Sequence, residues 1–230
     1  MQILGRYYFV LEEKMSIPLC CLIGYLLGCI NPAALISGIK KCKLRDNGTG
    51  NLGATNVALL IGKRYGAAVM LFDIFKAFFA YKCAEALFAK TAYVGLVAAV
   101  SSVVGHCFPF YLDFKGGKGL AAFGGLVLAH DPLIFFILLG VALALMLAVN
   151  YSFVVPYTGG LFFPILAYLR SGSAAVFALT AASGVLIMCM HLGNAVKALK
   201  LSDITVSAFC KSVIKKNASD VSSERNDITE

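Results

Sequence analysis

The sequence predicts an all-α membrane protein of about seven transmembrane helices with glycine-rich loops on its cytosolic side. Three observations carry this. Hydrophobic residues make up 60% of the 230 residues, charged residues only 14%, and the mean hydropathy is +0.83; an ordinary soluble domain is about a quarter charged. Uncharged apolar runs long enough to cross a hydrocarbon core of about 30 Å recur along the chain. In a seven-helix count, every basic-rich loop falls on one side. The positive-inside rule makes that side the cytosol, with the amino terminus outside and the carboxyl terminus inside.

Residues 1–14 hold Arg6, Glu12, Glu13 and Lys14 around a short apolar patch and read as an N-terminal extension, with Met15 a candidate true start. A single transmembrane domain over 15–210 follows. Its first span, Ser16 to Ile39, is interrupted at Asn31-Pro32, and Gly24 and Gly28 give it a small-residue face suited to close helix packing. Asn31 is either a polar helix contact or a site residue. Tyr65 to Phe88 returns across the membrane with Asp73 and Lys76 one turn apart, where a structural ion pair would neutralise both charges. Thr91 to Leu112 is the next span. Leu120 to His130 is too short to cross unless the glycine turn before it dips into the membrane. Pro132 to Leu169 is uncharged and divides into two helices near Asn150-Tyr151-Ser152 and Gly159-Gly160, and Ser171 to Met190 is the last span. The polar residues 211–230 read as a disordered tail. Six of the eight cysteines lie inside apolar runs and read as small hydrophobes.

The chemistry gathers in the loops. Gly48-Thr49-Gly50-Asn51-Leu52-Gly53-Ala54-Thr55-Asn56 is suited to an anion: glycines let backbone N–H groups turn inward, while Thr49, Asn51, Thr55 and Asn56 add neutral donors. Gly48, Gly50 and Gly53 also match G-x-G-x-x-G, but no βαβ context surrounds them, and P-loop spacing is absent. The alternative is a flexible connecting loop. A second turn, Phe114-Lys115-Gly116-Gly117-Lys118-Gly119, follows Gly105-His106, and its lysines sit either in a recessed pocket or at the membrane surface against anionic lipid. His191 and Asn194 lie three apart at the end of the last span, where both can reach an anionic ligand or the histidine can cap the helix end. No His, Cys and carboxylate cluster has metal-ligand spacing, so neither a metal nor a cofactor is expected.

These segments resemble the bacterial acyl-phosphate:glycerol-3-phosphate acyltransferases over roughly Met15 to Asp203. The first motif is the stretch from Gly48 to Val57, the second runs from Gly105-His106 to Gly119, and the last is His191 with Asn194. The resemblance implies a seven-helix inner-membrane enzyme of phospholipid synthesis. It would transfer a fatty acyl group from acyl phosphate to glycerol 3-phosphate, giving lysophosphatidate and phosphate, with neither metal nor acyl carrier protein. It implies catalytic roles for His191, Asn194 and Lys118. Phosphate contacts would come from Thr49, Gly50, Asn51, Gly53, Thr55, Asn56, His106, Lys115, Gly116 and Gly117. One phosphate is expected at the first loop and the other among Lys115, Lys118, His191 and Asn194. Leu59 stands where the family usually has Arg, with Arg45, Lys63 and Arg64 the cations able to substitute. The competing reading is a membrane transporter or binding protein for a phosphorylated metabolite, or a divergent paralogue with another acceptor.

Overall fold

The computed structural model describes the backbone of residues 2–226 and the side chains of residues 14–200. Nine α-helices and no strand are present among the described residues. In order they are α1 (Gln2–Cys29), α2 (Pro32–Ile39), α3 (Ala54–Leu60), α4 (Lys63–Leu87), α5 (Val94–Cys107), α6 (Leu120–His130), α7 (Pro132–Val149), α8 (Val154–Ser171) and α9 (Ala174–Asn226). The chain forms two compact units, one ending at Met190 and the other beginning at His191, so α9 passes from the first into the second.

Pro32 cannot donate into the preceding turn, and it ends α1 where the sequence indicates. Asn31 then caps α2 by accepting from the Ala34 N–H at 2.9 Å. The small-residue face of α1 is used: a Cβ on Gly24 or Gly28 would overlap the carbonyl of Ala98 or Ser102 on α5. Gly105 of α5 presses equally close to Tyr25 of α1, and Gly125 of α6 to Ile74 of α4. Two hydrogen bonds fasten the end of α5 to α1, from Tyr25 Oη to Phe108 O (2.9 Å) and from Tyr111 Oη to Cys29 O (2.8 Å). The core between α4, α5, α6 and α8 is filled by Val103, Phe123, Leu126 and Phe163.

Four described stretches are long and apolar enough to cross a membrane: Lys14–Ile39, Val94–Leu112, Pro132–Val149 and Ala174–Lys200. The other three expected spans are helices that miss that standard, so the count of seven spans is not reproduced by length and apolarity. Charge in α4 lowers its hydropathy, α6 has only 11 residues, and α8 is diluted by Pro156, Pro164, Tyr157 and Arg170. The first described residues are helical and continuous with α1, and the backbone stays helical through Asn226, over a stretch where composition predicts disorder. Residues 227–230 lie outside the described residues.

Candidate active site

Within the first unit, α2, α4, α5 and α6 bring two loops to one end of the bundle. The first loop leads into α3, so Ala54, Thr55 and Asn56, read from sequence as loop, form the first turn of a helix. That short helix forms because its small and apolar side chains pack on α4, where a Cβ on Gly66 would collide with Ala58. Gly48 and Gly50 adopt left-handed backbone, with φ of 62° and 67°. Asn56 is buried and latches the loop from below. It accepts from the Thr49 N–H at 2.8 Å and donates through Nδ2 to Leu44 O (2.7 Å) and Asn47 O (3.2 Å). Thr49, Gly50 and Thr55 are exposed above it, and Asn51 and Gly53 are half-buried.

The second loop folds back on the end of α5. Gly116 N–H donates to Cys107 O (2.9 Å) and Gly117 N–H to His106 O (3.1 Å). A Cβ on Gly116 would overlap the His106 carbonyl and one on Gly117 would overlap His106 Nε2, so the close approach requires glycine at both positions. Just before them, Asp113 and Phe114 hold φ of 54° and 56°, a left-handed pair of non-glycine residues that costs of order 1 kcal/mol or more each. Lys115, next in the chain, is exposed, while Lys118 is half-buried.

Three contacts join the loops. Arg45 Nη2 donates to Leu112 O and Lys115 O, both at 2.9 Å. Asn31 Nδ2 donates to Leu52 O at 3.4 Å, and that same carbonyl lies 3.0 Å from the position a Gly117 Cβ would take. Leu112 packs on the cluster of Ala33, Leu44, Leu52, Val57 and Val69.

Beneath this junction lies a buried triad. Lys76 Nζ is 2.8 Å from Asp73 Oδ1, 2.8 Å from His106 Nδ1 and 2.9 Å from Ile30 O, a carbonyl released where α1 breaks. His106 Nδ1 lies 3.3 Å from Asp73 Oδ1. Nδ1 therefore faces both the amine of Lys76 and the carboxylate of Asp73, while the Nε2 edge of the ring lies under Gly117. The sequence supplied the Asp73–Lys76 pair. It gave His106 as a phosphate contact, whereas the buried ring supports the second loop from underneath. Arg45, expected from the sequence as a cation able to replace the family arginine, instead ties the first loop to the backbone of the second. Asn31, open in the sequence between helix contact and site residue, ties the α1–α2 break to the first loop at Leu52.

His191 and Asn194 belong to the second unit, three residues apart on α9, the first buried and the second exposed. Leu59 is 66% exposed on α3.

The N–H groups of Thr49, Gly50, Lys115, Gly116 and Gly117 are given to the protein's own acceptors. It is therefore the polar and cationic side chains of the two turns, beside an apolar bundle, that suit ligands with phosphate at one end and hydrocarbon at the other. Residues 18–201 match the family model described as glycerol-3-phosphate acyltransferase. The chain belongs to the glycerol-3-phosphate acyltransferase family. It is 31% identical over 177 residues to the glycerol-3-phosphate acyltransferase of Thermoanaerobacter pseudethanolicus, across 76% of this chain and 88% of that one. It is also similar to two crystal structures of PlsY (YgiH), an integral membrane glycerol 3-phosphate acyltransferase. The glycerol 3-phosphate form gives a TM-score of 0.75 at 31% identity and the lysophosphatidic acid form 0.73 at 30%. Each match covers 80% of this chain and 92% of the solved chain. As a member of the glycerol-3-phosphate acyltransferase family, the chain is an acyltransferase and a multi-pass membrane protein.

Proposed function

We propose that this acyltransferase moves a fatty acyl group from acyl phosphate to glycerol 3-phosphate, giving 1-acylglycerol 3-phosphate and inorganic phosphate without acyl carrier protein. The observation that carries the reading is the junction of two glycine turns through Arg45 at one end of an apolar bundle. Both substrates bear a phosphate, and one also bears a chain that belongs in lipid.

In the reaction the acceptor hydroxyl oxygen bonds to the acyl carbonyl carbon. The bond from that carbon to the phosphate oxygen breaks, phosphate leaves with the electron pair, and the hydroxyl proton is carried off on the released phosphate. Acyl phosphate is already activated, so orientation and neutralisation of the charge growing on the leaving group supply most of the rate. One phosphate is assigned to the first loop, through Thr49, Gly50, Asn51, Gly53 and Thr55, with Asn56 shaping the loop from below. The other is assigned to Lys115 and Lys118, on the turn that Gly116 and Gly117 shape by packing on His106. His191 and Asn194 are assigned polar roles toward substrate on the sequence resemblance. The active face is assigned to the cytosol of a bacterial cell membrane, with the amino terminus outside and the carboxyl terminus inside, from the basic residues of the loop between α2 and α4. Phosphate release by the purified protein tests the reading: it should require acyl phosphate and glycerol 3-phosphate together, and release indifferent to glycerol 3-phosphate would refute it.

A further inference from the structure

Arg45 touches both loops at once. Its Nη2 donates both protons across to the second loop, to Leu112 O and Lys115 O, while its own carbonyl lies 3.3 Å from where a Gly50 Cβ would stand. One residue thus spans from Gly50 to the backbone of Lys115, the two positions assigned above to different phosphates. Exposed arginines ordinarily leave their donors to water, because fixing a long side chain at a surface gains little. Here the side chain is fixed, and it is fixed to main chain just beside the strained pair Asp113 and Phe114. The neighbouring cations do otherwise: Lys40 lies over the Tyr65 ring, and Lys43, Lys63 and Arg64, as exposed as Arg45, have no such side-chain bond to the second loop.

We propose that Arg45 is a positioning residue for acyl transfer, setting the separation of the two glycine loops and so of the two phosphates they hold. The inference rests on the assignment of one phosphate to each loop. A guanidinium suits the task because its planar fork delivers two protons from one nitrogen in fixed directions, which the flexible, point-charged ammonium of lysine does not. The acyl carbonyl and the acceptor hydroxyl react only when held within near-attack distance. A shift of about 1 Å between the loops is therefore enough to cost on the order of 100-fold in rate while each loop still binds its own anion.

The test compares purified Arg45→Ala, Arg45→Gln and Arg45→Lys with the unaltered protein, measuring kcat, KM for each substrate and Tm. Arg45→Ala is expected to lose roughly 10- to 100-fold in kcat with each KM within about threefold of the unaltered value. Arg45→Lys should fall between, and added guanidinium ion should restore part of the rate of Arg45→Ala. Unchanged kcat in Arg45→Ala, or a rise in one KM alone at full kcat, overturns the proposal, the latter by making Arg45 a direct clamp on one phosphate. If Arg45→Ala does not fold, the Gln and Lys variants decide by the same criteria. Failure of the unaltered protein to form lysophosphatidate would instead sink the reading on which the proposal rests.

Discussion

Lys76 Nζ lies 2.8 Å from His106 Nδ1, deep in the bundle and beneath the turn of Gly116 and Gly117. Through this contact the charge pair inside the membrane segments reaches the loop at their end. Removing one partner of a buried pair leaves an uncompensated charge, which costs about 3–5 kcal/mol. Lys76→Met should therefore lower Tm sharply, and Asp73→Leu combined with Lys76→Met should recover much of the loss while activity stays low, because His106 has lost its anchor. A Lys76→Met protein that melts with the unaltered one would show that the pair carries no such role.

The glycines of the two loops differ in what surrounds them. A methyl on Gly117 has no place to go, since His106 Nε2 fills the space and Leu52 O closes the other side. On Gly53 it would meet only the amide end of Asn51 at 3.1 Å, a side chain able to move. Gly117→Ala is expected to abolish most turnover and Gly53→Ala to leave it within a few-fold; initial rates on the two purified variants decide, and equal effects would contradict the packing described.

Asn56 holds Leu44, Asn47 and Thr49 in one loop, using both its donor and its acceptor. Asn56→Ala leaves the buried Leu44 carbonyl unpaired, at about 1–3 kcal/mol, and frees Thr49 N–H and Asn47 O from the loop. The expected result is a rise in KM for one substrate of roughly tenfold or more. Asn56→Asp should be no better, because a carboxylate cannot donate to Leu44 O. Normal KM values in both variants would detach the first loop from substrate.

Leu59 is exposed on α3, so an arginine there meets no steric objection. If the first loop holds a phosphate, Leu59→Arg adds a cation beside it, and one KM should fall by up to about tenfold, the value of a charge-assisted hydrogen bond. A KM unchanged for both substrates would place α3 away from the phosphate.

What the sequence made legible was local. The break at Asn31-Pro32, the close-packing glycines of α1, the pairing of Asp73 with Lys76 and the half-length α6 all follow from spacing within a single segment. The joints were not legible, because they connect residues far apart in the chain: Arg45 with Lys115, Lys76 with His106, Asn31 with Leu52. Asn56 was read as facing ligand because its type suits an anion loop, and periodicity gave no sign that α3 turns it inward. The helical stretch from Ala54 was hidden by the turn-forming composition ahead of it.

The most direct measurement follows both products at once from purified protein supplied with acyl phosphate and labelled glycerol 3-phosphate. The account predicts lysophosphatidate and inorganic phosphate in equal amounts, at a rate lost in Gly117→Ala. Phosphate released without lysophosphatidate, or lysophosphatidate formed at the full rate by Gly117→Ala, would contradict it.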